Sequence, residues 1–126
     1  MRFEIAVAAI ALFSGAVAAS HDYCACQQWS NGPVDHVATA KVAAKPCFGY
    51  VWGPSEHLAD STTPWFAHSS GPRYDGHYLQ NMIKKWKIDG DQFHSRCRDA
   101  GAKDSTCFSC SDLQVNGDGK VQCNRG

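Results

Sequence analysis

Four apolar residues, Leu79, Met82, Ile83 and Trp86, recur at i, i+3, i+4 and i+7, the spacing that lines one face of an α-helix. Gln80, Asn81, Lys84, Lys85 and Lys87 fall on the opposite face. The lysines would occupy its last turn, where positive charge complements the helix dipole, and Gly90 is placed to close it. The pattern predicts a helix here. A second predicted helix follows Asp91 as its cap, with Phe93, Cys97 and Ala100 on a shared face and Gly101 as its stop. A third runs from His36 to Ala44, capped by Asp35 and kept from continuing by Pro46.

Elsewhere the apolar positions come in short runs between chain breakers. Phe48-Gly49-Tyr50-Val51-Trp52 and Trp65-Phe66-Ala67 are aromatic-rich and lie among Gly53, Pro54, Pro64, Gly71 and Pro72, which suits strands better than helices. Tyr23-Cys24-Ala25-Cys26-Gln27 reads as an extended segment, and Ser30-Asn31-Gly32-Pro33 as a turn. Leu113-Gln114-Val115 and Lys120-Val121-Gln122-Cys123 flank Asn116-Gly117-Asp118-Gly119, a strong hairpin signal. The expected fold class is α+β: a small disulfide-stabilised domain with two or three short helices packed on a small antiparallel sheet, ending in a C-terminal hairpin. Residues 48–96 carry no cysteine, which marks this stretch as the one least tied by cross-links and the expected mobile or binding region.

The N-terminus decides the compartment. Arg2 precedes an apolar run from Ile5 to Phe13 that is too short to span a bilayer, and small residues follow at Ala16, Val17, Ala18 and Ala19. This predicts a signal peptide over residues 1–18, cleaved somewhere in 18–20, and one secreted, extracellular, cysteine-rich domain over 19–126. An oxidising compartment turns thiols into disulfides, so Cys24, Cys26, Cys97, Cys107, Cys110 and Cys123 are expected to form bridges. Cys24 and Cys26 are poorly placed to join each other, because alternate residues of a strand sit about 6.5–7 Å apart. Both should reach distant partners. An odd count of seven leaves one cysteine free or paired outside the chain, and Cys47, beside the aromatic stretch, is the candidate. Three bridges at about 2–4 kcal/mol each are comparable with the whole net stability of so small a domain.

Charge excludes one class of partner. Twelve basic residues balance twelve acidic ones, which is unlike the basic footprint of a phosphate-backbone binder, so no nucleic acid partner is expected. Six histidines give the surface a response to acid.

Candidate chemistry is sparse. Cys24-Ala25-Cys26 and Cys107-Phe108-Ser109-Cys110 have the residue types of a zinc or redox site, but an exported chain oxidises them. Asn116-Gly117-Asp118-Gly119 lacks the ligands of a calcium loop and reads as a turn. Glu56-His57, Arg73 and His94 are the residue types of a small secreted ribonuclease, without a motif to join them. Trp29, Tyr50, Trp52, Trp65, Phe66 and Tyr74 could form a core or a platform, and Trp65, Phe66 and Tyr74 are the candidate binding surface. Cleavage after Ala18 would leave Ala19-Ser20-His21, whose amine, amides and imidazole can surround Cu(II), which makes His21 the candidate metal ligand. No resident cofactor is expected.

Cys24-Ala25-Cys26, Asn31-Gly32-x-Val34-Asp35, Ala38-Thr39, Phe93-x-x-x-Cys97-x-x-x-Gly101 and Ser105-Thr106-Cys107 together resemble the small cysteine-rich secreted proteins of plant-associated filamentous fungi, among them candidate effectors. Ala43-Ala44 and Arg96-Cys97 stand where many of those proteins carry adjacent cysteine pairs. The resemblance implies action in the host apoplast or inside a host cell, on plant immunity, by binding a host protein or cell-wall glycan. It implies no catalytic residue, and the expected protein is a monomer without a membrane span. A secreted ribonuclease or other hydrolase, and a carbohydrate-binding or antimicrobial protein, are the alternatives.

Overall fold

Strand Tyr23–Gln27 is buried along its whole length, on both faces, and the rest of the fold is arranged around it. Its alternate side chains enter two separate cores: Cys24 and Cys26 point one way, Tyr23 and Ala25 the other. A strand buried on both sides needs a layer on each face, and the chain supplies them. The computed structural model describes residues 20–53, 65–67, 72–83, 85–115 and 120–125. The signal-peptide reading of residues 1–18, Glu56-His57 and the 116–119 turn lie outside the described residues.

In chain order the described elements are β1 (Ser20–His21), β2 (Tyr23–Gln27), α1 (His36–Ala43), β3 (Tyr50–Gly53), β4 (Trp65–Phe66), β5 (Tyr78–Asn81), β6 (Ile88–Asp89), α2 (Gly90–Asp99), β7 (Asp104–Phe108), β8 (Asp112–Val115) and β9 (Lys120–Arg125). The fold is a small disulfide-stabilised α+β domain. A four-stranded antiparallel sheet runs in the order β3-β5-β2-β7. Both helices cover one face, over Ala38, Val42, Leu79, Ile88, Phe93 and Cys97. The other face packs on a three-stranded sheet, β4-β9-β8, through Tyr23, Phe66, Tyr78, Phe108 and Val121. In that second sheet β8 and β9 are antiparallel, as the hairpin signal predicts, whereas β4 lies parallel to β9. β1 and β6 form a two-stranded ribbon.

The helices follow from local chemistry. Asp35 caps α1, its Oδ1 accepting the Ala38 N–H at 3.0 Å. The cap of α2 is Asp89 rather than Asp91: its Oδ1 accepts the Asp91 and Gln92 N–H groups, and Gly90 opens this helix instead of closing an earlier one. Gly101 follows α2 with φ of 102°, a conformation that favours glycine at a helix stop.

The predicted helix over 79–87 does not form. Tyr78–Asn81 is β5, a central strand paired with β3 on one side and β2 on the other. Tyr78 enters the second core and Leu79 the first, so a strand here buries residues on both faces where a helix would bury one stripe. Of the four residues in that stripe only Leu79 is buried. Within the cysteine-free stretch, β3 and β5 build the main sheet.

Two disulfides start from β2. Cys24 bonds Cys107, directly opposite it on β7, and Cys26 bonds Cys97 of α2. Cys110–Cys123 ties the connection after β7 to β9. Among the described residues no helix is long and apolar enough to cross a membrane.

Candidate functional site

The β5–β6 turn holds apolar side chains in water by an organised set of backbone bonds. Asn81 Oδ1 accepts the Ile83 N–H at 3.0 Å, Ile83 O accepts the Trp86 N–H at 2.9 Å, and Gly49 O accepts the Met82 N–H at 2.8 Å. Met82, Ile83 and Trp86 are 61%, 41% and 56% exposed, and they are three of the five large hydrophobic residues exposed among the described residues. Beside the turn lies a depression of about 460 Å³ lined by Lys85, Lys87, Asp22 and Ser111. Asp22 pairs with Lys87 and accepts the Cys110 N–H at 3.0 Å, so it is held in place from two sides.

A groove of about 700 Å³ opens where the C-terminal ends of α1 and α2 meet, lined by Lys41, Lys45, Cys47, Phe48, Arg96 and Asp99. Arg96 lies 3.8 Å over the Phe48 ring and donates to the Tyr50 hydroxyl at 2.8 Å. Burial pushes the Tyr50 phenol up, and the Arg96 guanidinium opposes that rise. Cys47 is a free, exposed thiol at the edge of this groove.

A third cluster gathers His36, Trp52, Trp65 and His77. The His77 ring meets Trp65 edge-on at 5.0 Å and Trp52 at 6.1 Å, and it lies 5.1 Å from the His36 ring. Desolvation, then the charge of His77, holds the His36 imidazole below its ordinary value, with Asp35 opposing. The approach needs Gly76: a Cβ there would lie 2.9 Å from His36 Nε2 and 3.0 Å from Val34.

The candidate binding surface Trp65, Phe66 and Tyr74 is divided by this arrangement. Phe66 is fully buried and is no part of any surface: in β4, successive side chains alternate, so Trp65 faces the His36–His77 cluster while Phe66 enters the aromatic core. Tyr74 is half-buried, packs against that core and donates to Asn31 Oδ1 at 3.3 Å. Tyr50 is also core, while Trp29 stands exposed elsewhere.

Of the nuclease residue types, the described His94 and Arg73 take structural partners. His94 Nδ1 lies 3.2 Å from Ser105 Oγ and 3.3 Å from Asp104, tying α2 to β7, and Arg73 lies over the Tyr74 ring. Hydrogen bonds from the Ser105 amide and the Ser30 hydroxyl hold the Asp104 carboxyl below its ordinary value, with a smaller contribution from His94. His21 sits in β1 opposite Ile88. No group of three or more His, Cys, Asp or Glu side chains is placed to hold a metal among the described residues.

Sequence reading missed the His36–His77 cluster, which joins positions too far apart for any local pattern to signal. It named the apolar turn but as a helix face. No protein-family model matches the chain, and the comparisons found no similar curated protein and no similar solved structure.

Proposed function

We propose that this chain is a secreted recognition protein of the effector type, which modulates plant immunity by binding a host component and not by catalysis. The observation that carries the reading is the exposed Met82-Ile83-Trp86 turn: a small domain with a restricted supply of large apolar residues places three of them on the surface, held there by backbone hydrogen bonds. Three disulfides are compatible with an extracellular protein. The resemblance of the cysteine pattern to fungal effectors supplies the plant context.

The test is delivery of the purified protein to leaf tissue, alongside deletion of its gene in the producing organism. The reading expects a changed defence response and altered infection. Unchanged defence together with unchanged infection would overturn it. A pull-down on chitin, with Trp65→Ala as the control, separates this reading from the alternative of a carbohydrate-binding or antimicrobial protein.

A further inference from the structure

The β5–β6 turn combines two chemistries side by side: apolar side chains standing in water, and a cationic depression next to them. Lys85 and Lys87 stand on either side of Trp86 in the sequence, and both line the depression. We propose that this turn and the depression lined by Lys85 and Lys87 form a docking site for an anionic lipid surface. The inference deepens the recognition reading above and rests on it for its biological context.

The shape and the charge both favour a bilayer over a folded partner. Side chains that project from a tight turn enter the headgroup boundary without needing a matching pocket, whereas a protein partner must supply one. Trp86 suits that boundary, because an indole has an apolar body and a polar N–H. Lysines flanking inserted apolar residues are drawn to anionic headgroups. Asp22 neutralises Lys87 in the depression, and among the described residues that line it Lys85 is the other cation, the one offered to the headgroup. Three exposed side chains fall short of the roughly 1,000 Å² that a specific interface with a second copy needs. The hydrogen bonds accepted by Asn81, Ile83 and Gly49 fix the turn beforehand, so little ordering is left for the moment of insertion.

The experiment is co-sedimentation of the protein, recovered after export of the full chain, with vesicles of phosphatidylcholine alone and of phosphatidylcholine with phosphatidylserine. The expected result is binding to the anionic vesicles only, weakened by salt. Trp86→Ala should lower that binding by about tenfold or more, and Lys85→Glu should lower it too. Trp29→Ala removes another exposed indole and should leave it unchanged. Equal binding to both vesicle types, binding to neither, or equal losses from Trp29→Ala and Trp86→Ala would each overturn the proposal. Circular dichroism and thiol counting on each variant show that the fold is intact. If Trp86→Ala abolishes a leaf response while no vesicle is bound, the partner is a protein: the lipid site then fails and the recognition reading stands. Binding to anionic vesicles without any leaf response or change in infection upholds the lipid site and overturns the recognition reading.

Discussion

His36 Nε2 accepts the backbone N–H of His77 at 3.3 Å, joining the first residue of α1 to a position 41 residues further along the chain. An imidazole that accepts through Nε2 carries its proton on Nδ1 and is neutral; a second proton would remove the acceptor. Burial and the neighbouring His77 already hold His36 below its ordinary value of 6.5. The unfolded chain therefore takes up the proton first. The stabilisation is present in full above about pH 6.5, falls as pH drops towards the folded value, and then levels off. Melting temperature measured between about pH 7 and pH 5 should decline in the wild type and decline less in His36→Gln, which keeps an acceptor that does not titrate.

Thr39 is fully buried between α1 and β2, and its hydroxyl has two duties: it accepts the Cys26 N–H at 3.0 Å and donates to Asp35 O at 2.7 Å. Thr39→Val keeps the shape and removes both. It should lower unfolding free energy by about 1–3 kcal/mol, because the Cys26 amide is left without its acceptor in a dry core. Thr39→Ser, which retains the hydroxyl, should lose clearly less in the same denaturant titration.

Phe66 and Trp65 are neighbours with opposite surroundings. Phe66 lies 5.1 Å from the rings of both Tyr23 and Phe108 in the second core. Phe66→Ala should cost about 3–5 kcal/mol, by the cavity it opens among these rings. Trp65→Ala, at a half-buried site, should cost about half of that or less. Equal losses in urea unfolding would contradict the placement of β4.

The cross-links can be checked by mass. Alkylation of the native monomer should add one label, at Cys47, and alkylation after reduction seven. Bridges that close longer loops restrict the unfolded chain more. Removing Cys24–Cys107, with a separation of 83, should cost about 4–5 kcal/mol, and removing Cys110–Cys123, with a separation of 13, about 3 kcal/mol.

Much of the fold was legible because its signals were local. Asp35 before an Ala/Val-rich segment, aromatic runs between glycines and prolines, and two alternating runs around Asn116-Gly117 each predict an element from neighbours in sequence. The segment 79–87 misled for a physical reason: its spacing fits a helix, but the decisive interaction is pairing of Leu79 with Trp52 and Cys24, set by tertiary structure. The apolar turn was misread with it, because Met82, Ile83 and Trp86 carry no mark in the sequence that separates a buried stripe from an exposed one. The His36–His77 pair and the groove at the helix ends exist only once the sheet brings distant positions together.

The origin of two disulfides on β2 has a consequence for biosynthesis. In a chain exported as proposed above, Cys24, Cys26 and Cys47 would emerge into an oxidising lumen well before Cys97 and Cys107, and none of the three has its native partner among the others. Any bond they form in that interval is wrong and must later be exchanged, through attack by a thiolate on the mispaired bridge. Cys47, which ends free, is an available exchange partner. For an exported chain, yield of the correctly linked product should therefore depend on a disulfide isomerase and on a lumen that is not too oxidising, and the pace of maturation becomes a property written into the order of the cysteines.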